Sequence, residues 1–226
     1  KVLVAYSGGV DSTLLIRTAS DVLGKKNVIA ATATSLTYTK SELKTAKEHT
    51  KNIGIKHVIF KSEAFNDPSS INNSEKRCYY CKKELFKKMN EMKKKFKCDV
   101  IMDGSNYDDI SDFRPGSAAE KEAHIATPLK NANFTKNDIR AYSRELDLKT
   151  HDFPSLACLS SRIPSNEKIT KEKIEMIAKA EKFLKSFGFK NLRIRTSGLT
   201  ARIEVDKENM GMVLIKKDQI VEKLKS

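Results

Sequence analysis

The chain has 226 residues, of which 39% are hydrophobic, and a formal net charge of +14. This length suits one large domain or a domain of about 150 residues with a smaller second one, and no apolar run approaches the ~20 residues that a membrane-spanning helix needs. Four cysteines without a secretory signal argue against a secreted disulfide scaffold, so we expect a soluble, cytoplasmic protein. Because the chain starts inside an apolar run and stops at a helix, we expect further residues before Lys1 and after Ser226.

The excess positive charge is concentrated in residues 76–97, which contain ten Lys or Arg and two Glu. A basic face attracts nucleic acid through counterion release, but a lysine-rich segment is as often a solvated surface. Leu85, Met89, Met92 and Phe96 repeat there at helical spacing, which predicts an amphipathic helix with one buried face. Charge by itself therefore leaves nucleic-acid binding open.

Predicted strands and helices alternate in the first two thirds of the chain. Residues 1–6 form a short apolar run, Ser7-Gly8-Gly9 follows, and a helical pattern then runs to Leu23. Apolar runs predict three further strands, at residues 28–33, 56–60 and 99–102. Capping boxes predict two helices, one over residues 40–53 after Thr39 and one from Thr135 to about Leu146. This alternation predicts an α/β fold with a doubly wound parallel sheet.

The pattern changes after Pro154. Apolar periodicity there predicts a long helix, a two-stranded hairpin and a last helix, at residues 169–187, 191–196 with 201–206, and 217–225. A helix, hairpin and helix in this order form a smaller α+β module. We therefore predict two domains, residues 1–153 and residues 154–226.

The segment SGGVDS, from Ser7 to Ser12, has the composition of an anion-binding turn. Its glycines let the backbone approach an anion, its serines offer hydroxyl groups, and the following helix points its amide groups at the same place. The Walker lysine and the third glycine of the dinucleotide fingerprint are absent. SGGVDS after a first strand resembles the PP-loop family of ATP pyrophosphatases. That resemblance implies transfer of AMP from ATP to an acceptor oxygen, followed by displacement of AMP by nitrogen or sulfur.

The cysteines favour sulfur as that second nucleophile. Cys78 and Cys81 form a C-x-x-C loop, and Cys158 supplies a distant third thiol. Three thiols can hold a [4Fe-4S] cluster with one iron open, whereas four thiols, with Cys98, could form a closed zinc site. Cys98 adjoins a predicted strand, where a buried inert thiol is the commoner outcome, so we leave it out of the site.

Three further segments narrow the resemblance. They are DGSNYDD at 103–109 with DFRPG at 112–116, PSLACLSSRIP at 154–164, and Arg193 with Arg195 on one strand face. In this order, over essentially the whole chain, they resemble the LarE family of ATP-dependent sulfur transferases. The resemblance implies adenylation of a carboxylate of a pyridinium mononucleotide and its conversion to a thiocarboxylate for a nickel-pincer cofactor. The C-x-x-C pair resembles the subgroup with a three-cysteine [4Fe-4S] cluster, rather than members that sacrifice the sulfur of the cysteine matching Cys158.

The resemblance implies a role for each of a set of residues. ATP, with Mg²⁺, and its pyrophosphate are assigned to Ser7, Gly8, Gly9, Asp11 and Ser12. The cluster is assigned to Cys78, Cys81 and Cys158, and the catalytic residues are Cys158 and Asp11. The substrate phosphate, which guanidinium groups bind bidentately, is assigned to Ser161, Arg162, Arg193 and Arg195. Glu181 and Glu204 are candidates for orienting these arginines or the substrate, with plain surface positions as the alternative. Asp108 and Arg114 lie on a loop where open α/β sheets place ligands.

Two other PP-loop activities are weighed against this one. A tRNA thiolase shares the ATP site and often a three-cysteine cluster, and segment 76–97 would suit RNA, but the sequence shows no separate RNA-binding module. An amidating enzyme needs a glutaminase domain, for which 226 residues leave no room. We expect a small-molecule mononucleotide substrate, sulfide or another sulfur donor, no membrane partner, and a homo-oligomer, as is typical of LarE-type proteins. The four histidines show no metal-ligand spacing and receive no role.

Overall fold

The structure is a computed structural model that describes residues 1–110, 115–155, 157–189 and 191–225. A parallel sheet of four strands with the order β3-β2-β1-β4 forms its first part. The strands are β1 (Val2–Ala5), β2 (Val28–Thr34), β3 (Lys56–Lys61) and β4 (Val100–Met102). The predicted parallel α/β sheet is confirmed, and each strand begins and ends within one residue of its predicted bounds.

Helices cover both faces of this sheet. They are α1 (Val10–Leu23), α2 (Lys40–Ile53), α3 (Pro68–Ile71), α4 (Arg77–Lys95), α5 (Gly116–Glu122), α6 (Pro128–Asn131) and α7 (Lys136–Glu145). Successive side chains of a strand point to opposite faces, so Val2 and Val4 belong to a core with α1, α2 and α7, whereas Leu3 belongs to a core with α4 and α5. Among the described residues, no helix combines the length and apolar character needed to cross a membrane.

Local sequence determines where the helices α2 and α7 begin. Thr39 Oγ1 accepts the backbone N–H of Glu42 at 3.2 Å, and Glu42 Oε2 accepts the N–H of Thr39 at 2.6 Å. Thr135 and Asp138 form the same capping box at the start of α7. Each box satisfies amide groups that the first helical turn leaves without partners, and both predicted helices are confirmed.

The rest of the described chain forms a small antiparallel sheet with helices around it. Its elements are α8 (Lys171–Lys185), β5 (Leu192–Ser197), β6 (Thr200–Val205), α9 (Met210–Ile215) and α10 (Lys217–Lys225). Leu184, Ile194 and Ile220 lie in its core. Asn73 of the first part donates from Nδ2 to the carbonyl oxygens of residues 163 and 164, at 3.1 and 2.7 Å. The elements match the predicted α+β module, and the division at residues 153 and 154 stays a prediction.

His57 on β3 is held between two threonine hydroxyls. Thr32 Oγ1 donates its proton to the carbonyl oxygen of Tyr6 at 2.7 Å, so it accepts from His57 Nε2, which lies 2.8 Å away. The other ring nitrogen lies 3.1 Å from Thr50 Oγ1. Burial, with a smaller contribution from Lys47, lowers the pKa of His57. The ring therefore bridges β2, β3 and α2.

We expect the free energy of unfolding to decrease as the pH falls below about 6.5, the ordinary pKa of histidine. Burial lowers the folded-state pKa of both His57 and His49, so the unfolded chain binds more protons in this range. Their stabilising contribution is complete above the unfolded-state pKa and is lost below it. Urea unfolding between about pH 7.5 and pH 5 measures this decrease. It should be smaller in His57→Gln, and an equal decrease in that variant would contradict the assignment.

Candidate active site

Residues 7–12 connect the end of β1 to α1 through a compact turn. The hydroxyl oxygens of Ser7 and Ser12 lie 3.1 Å apart, and Ser7 Oγ accepts the backbone N–H of Gly9 at 3.3 Å. Gly9 is the N-cap of α1 and has no side chain to cap the helix. The first amide groups of α1 therefore remain available to an anion.

Two glycines allow this turn to pack closely against its neighbours. Gly8 has a φ of +81°, a left-handed conformation that other residues adopt only with strain. A Cβ atom at Gly104 would lie 3.0 Å from the backbone nitrogen of Ser12. The loop after β4 thus rests directly on the first turn of α1, and a side chain at residue 104 would push the two apart.

The carboxylate of Asp11 is the centre of a polar cluster beside the turn. Lys136 Nζ lies 2.5 Å from both carboxylate oxygens, and Asn106 Nδ2 donates to Oδ1 at 3.2 Å. The backbone N–H of Lys136 donates to Asp108 Oδ2 at 2.8 Å. Asp11 and Lys136 are both partly buried, so a side-chain cation neutralises the carboxylate at the place where the resemblance implies Mg²⁺.

Sequence reasoning missed Lys136 and assigned no role to Asn106. Lys136 directly follows the capping residue of α7, but its partner Asp11 stands 125 residues earlier, and only the sheet order brings the two together. Asn106 lies inside the DGSNYDD segment, which was the available signal. Arg114 and its neighbours 111–113 lie outside the described residues.

The C-x-x-C pair lies in the first turn of α4, so the expectation of a loop is wrong. Cys78 and Cys81 are three residues apart on this helix and therefore lie close together on its surface. Cys78 and Cys158 are exposed and Cys81 is half-buried. Burial raises the pKa of Cys81 to about 11; a hydrogen bond with Ser70 opposes this, and the thiols of Cys158 and Cys78 add to it. Both other thiols thus lie near enough to Cys81 to affect its pKa.

Cys98 is separated from these thiols by most of the length of α4. From Cys81 to the end of the helix is roughly 20 Å at ~1.5 Å per residue, and Cys98 is buried in the core that contains Leu3 and Ile101. A closed site of four cysteines is thereby excluded, and Cys98 is buried as expected. The chemistry of the other three thiols suits a cluster, although among the described residues no three Cys, His, Asp or Glu side chains are close enough together to hold a metal ion.

Arg162 and Glu181 form a buried ion pair. Arg162 Nε donates to Glu181 Oε1 at 2.8 Å, and the two side chains are 7% and 6% exposed. Nη1 of Arg162 donates to Ser161 Oγ at 2.9 Å and to the carbonyl oxygen of Cys158 at 3.4 Å. Glu181 Oε1 also accepts the N–H of Ile194 at 3.1 Å. A surface position for Glu181 is therefore wrong: it orients Arg162, which holds the turn that follows Cys158.

Arg193 and Arg195 share one face of β5 as predicted, but they line two adjoining cavities. Arg195 donates from Nε to Glu204 Oε1 at 2.8 Å and from Nη1 to the carbonyl oxygen of Ser161 at 2.6 Å. Burial would raise the pKa of Glu204, but Arg195 and Arg202 hold it below its ordinary value. Glu204 thus orients Arg195, while Arg193 has no ion pair among the described residues and faces the larger cavity.

That larger cavity is a cleft of about 1080 Å³ between the two parts of the chain. Ser7, Gly8 and the start of α2 form one wall, and residues 152–155 cross its edge. Side chains from α8, β5 and residues 204–206 also line the cleft, and three of them, Glu181, Glu204 and Asp206, are acidic. The basic wall is our name for the four cationic side chains in this part of the lining, Lys179, Lys182, Lys185 and Arg193. Ala157 and Leu159, on either side of Cys158, also line the cleft. The cleft therefore brings together an anion-binding turn, the segment with the third thiol and a basic surface.

Comparisons with known proteins support this arrangement. The family model described as NAD synthase matches residues 1–97. A pyridinium-3,5-bisthiocarboxylic acid mononucleotide synthase of Lactiplantibacillus plantarum is 34% identical over the whole chain, which covers 82% of that relative. Protein slr1717 of Synechocystis sp. is 39% identical over 93% of this chain and 78% of its own length. One subunit of the glutamine-hydrolysing GMP synthase of Saccharolobus solfataricus is 27% identical over 84% of this chain and 57% of its own length.

We expect Glu181→Ala to lower the free energy of unfolding by about 3–5 kcal/mol, because it leaves the Arg162 guanidinium buried without its partner. Glu204→Ala is the matched control, since the pair of Glu204 with Arg195 is about one third exposed and exposed pairs contribute about 1 kcal/mol or less. Urea unfolding of both variants measures the difference. Equal losses of stability would contradict a special role for the buried pair.

Proposed function

Because the chain belongs to the LarE family of ATP-dependent PP-loop enzymes, we propose that it adenylates a carboxylate of a pyridinium mononucleotide and replaces the AMP by sulfur. The product is a thiocarboxylate of the kind that a nickel-pincer cofactor requires, and the Lactiplantibacillus plantarum relative is named as the synthase of such a mononucleotide. One observation carries the proposal: the anion-binding turn, the Cys158 segment and a basic wall meet at one cleft.

The turn at Ser7–Ser12 is assigned to the β and γ phosphates of ATP. These phosphates would accept hydrogen bonds from the first amide groups of α1 and from the serine hydroxyls. An oxygen of the substrate carboxylate attacks the α phosphorus, the bond to the bridging oxygen of the β phosphate breaks, and pyrophosphate leaves into the turn. Mg²⁺ held by Asp11 would neutralise phosphate charge. Lys136, whose ammonium lies 2.5 Å from that carboxylate, is close enough to pair with the departing pyrophosphate.

The second step displaces AMP from the acyl adenylate. Sulfide attacks the acyl carbon, the bond from that carbon to the AMP oxygen breaks with its electron pair, and a proton goes to solvent. This substitution needs no oxidant or reductant. Cys78, Cys81 and Cys158 would hold a [4Fe-4S] cluster, which would supply the sulfide when bound. The electrostatic proximity of the three thiols and the position of residues 157 and 159 at the cleft support this route.

The basic wall is assigned to the substrate phosphate and its second carboxylate. Arg193 supports this because it faces the cleft without an ion pair among the described residues. Ser161, Arg162 and Arg195 complete the proposed phosphate site from the adjoining cavity, and guanidinium groups suit a phosphate bidentately. The chemistry of the wall thus favours an acceptor with several negative charges.

We expect AMP, pyrophosphate and a thiocarboxylate to form together when ATP, Mg²⁺, sulfide and pyridinium-3,5-biscarboxylic acid mononucleotide are supplied. Asp11→Asn should slow pyrophosphate release by about 100-fold or more, because it removes the carboxylate proposed to hold the Mg²⁺ that neutralises the charge of the leaving pyrophosphate. Asp21→Asn is the matched control, since Asp21 lies on the same helix in an exposed pair with Arg17. Liquid chromatography with mass spectrometry measures the products. Normal turnover by Asp11→Asn, or AMP release that does not need the mononucleotide, would sink the proposal.

We expect the protein prepared without oxygen to contain about four irons and four sulfides per chain. Cys78→Ala, Cys81→Ala and Cys158→Ala should each lose them, because three protein ligands are the minimum for the proposed cluster. Cys98→Ala should keep them, since Cys98 lies in a different core. Iron and sulfide analysis with absorbance spectra decides this. Zinc, or no metal, in the intact protein would overturn the cluster assignment, and loss of sulfur from Cys158 on turnover would then replace it.

Two properties of the surface bear on partners. The exposed apolar side chains of α9 are Met210, Leu214 and Ile215. They support association of copies of the chain through its second part. A monomer in sedimentation at micromolar concentration would contradict this association.

The exposed lysines of the α4 region are Lys76, Lys83, Lys87 and Lys94, and this observation favours tRNA thiolation as the alternative function. Tight, steeply salt-dependent binding of bulk tRNA would support that alternative.

A further inference from the structure

Helix α7 connects the nucleotide turn to the segment that leads to Cys158. At its first residue, Lys136 Nζ contacts both oxygens of Asp11 at 2.5 Å. One turn later and on the same side, Arg140 donates from Nη1 to the carbonyl oxygen of His151 and from Nη2 to that of Phe153, the latter at 2.7 Å. A single short helix therefore contacts the two places where the proposed half-reactions occur.

The helix is firmly anchored between these contacts. Thr135 and Asp138 cap its start reciprocally, and Ile139 is fully buried in the core beneath the sheet. Ile139 lies between Lys136 and Arg140 in α7, so its burial fixes the backbone from which both side chains extend. The distance from Asp11 to the carbonyl groups that Arg140 binds is thus determined by the helix.

Arg140 binds an irregular segment that also has local contacts: the N–H of Phe153 donates to the carbonyl oxygen of Thr150 at 3.0 Å, and the Phe153 ring lies beside His49. Residues 152–155 form no helix or strand and line the cleft together with Arg140 itself. Pro154 removes one backbone donor from the segment. The planar guanidinium presents its N–H groups in a fixed geometry and can donate to two carbonyl oxygens at once. The ammonium of a lysine is a compact charge on a flexible stem and lacks this geometry. The charged hydrogen bonds to His151 and Phe153 therefore tie the chain just before Cys158 to α7.

We propose that Arg140 is a positioning residue that keeps the Cys158 segment against the nucleotide site, so that sulfur reaches the acyl adenylate before water does. This role rests on the proposed function and links its two steps, adenylation and sulfur transfer. An acyl adenylate that meets water instead of sulfide loses AMP by hydrolysis and returns the carboxylate. Loosening the segment should therefore leave adenylation intact and waste ATP.

The test compares Arg140→Met and Arg140→Lys with Arg144→Met. Arg144 is a control on the same helix: its side chain is exposed and, within the described part of the chain, forms an ion pair with Asp152, which is also exposed; exposed pairs contribute little. The anaerobically prepared protein is supplied with sulfide, ATP and the mononucleotide. Two quantities are measured: mononucleotide-dependent exchange of pyrophosphate into ATP, and the ratio of AMP released to thiocarboxylate formed. We expect Arg140→Met to keep the exchange rate and to raise the ratio about tenfold, the change expected for losing about one charged hydrogen bond. Arg140→Lys should lie between, and Arg144→Met should match the wild type.

A ratio unchanged in Arg140→Met, or exchange and sulfur transfer reduced together, would overturn the inference. Hydrogen exchange of the amides of residues 151–158 provides a readout that needs no turnover, and Arg140→Met should speed it while the amides of α1 stay protected. Unchanged hydrogen exchange in residues 151–158 would also overturn the inference.

If the wild type shows no pyrophosphate exchange with the mononucleotide, the proposed function fails. The hydrogen-exchange result still decides whether Arg140 restrains the segment. If Arg140→Met does not fold, Arg140→Lys decides both measurements.

Discussion

The pairing of β1 with a parallel neighbour on each side is the constraint on which the rest of the structure depends. Val4 is in register with Ala30 of β2 and with Met102 of β4, so β1 lies inside the sheet and its carboxyl end meets those of both neighbours. Open α/β sheets bind ligands at such an edge. The turn after β1 and the loop after β4 consequently lie side by side, and Gly104 lets them touch.

The loop after β4 also reaches the helix that carries two of the thiols. Ser105 Oγ donates to the buried carboxylate of Glu120 at 3.1 Å, and the same carboxylate pairs with Lys82, the residue after Cys81. Gly116 leaves room for the Lys82 stem, because a Cβ there would lie 2.9 Å from Lys82 Cδ. One loop therefore contacts the nucleotide turn on one side and, through a buried charge cluster, the C-x-x-C end of α4 on the other.

Cys158 belongs to neither sheet and is placed by two arginines. Arg162 holds the turn after it and pairs with Glu181, a residue of α8. Arg140 holds the chain before it. Buried ion pairs add little net stability because desolvation offsets the attraction, but their directional hydrogen bonds specify one arrangement. This suits the proposed function, in which the Cys158 thiol approaches the two other thiols and the reaction centre from an irregular segment.

The sequence predicted the repeating elements and the local motifs well, because hydrophobic periodicity and capping boxes act over a few residues. The bounds of the strands, the SGGVDS turn and the family of the chain all followed from residues next to one another. Two expectations were wrong, and both concerned the surroundings of a residue: the C-x-x-C pair is helical, and Glu181 is buried. Burial of Glu181 depends on Arg162, and the place of Arg195 depends on Glu204 and Ser161, none of which spacing reveals.

Sequence alone thus determined which chemical groups this protein carries and the α/β frame that presents them, since both follow from short-range pattern. Only the tertiary structure decided which of those groups meet. Asp11 and Lys136 are 125 residues apart and come together because the strand order places β1 beside β4. Arg140 and the Cys158 segment come together because a buried face fixes α7 against the sheet. These contacts depend on long-range packing and on the need of buried charges for partners. Neither can be read from the order of residues along the chain.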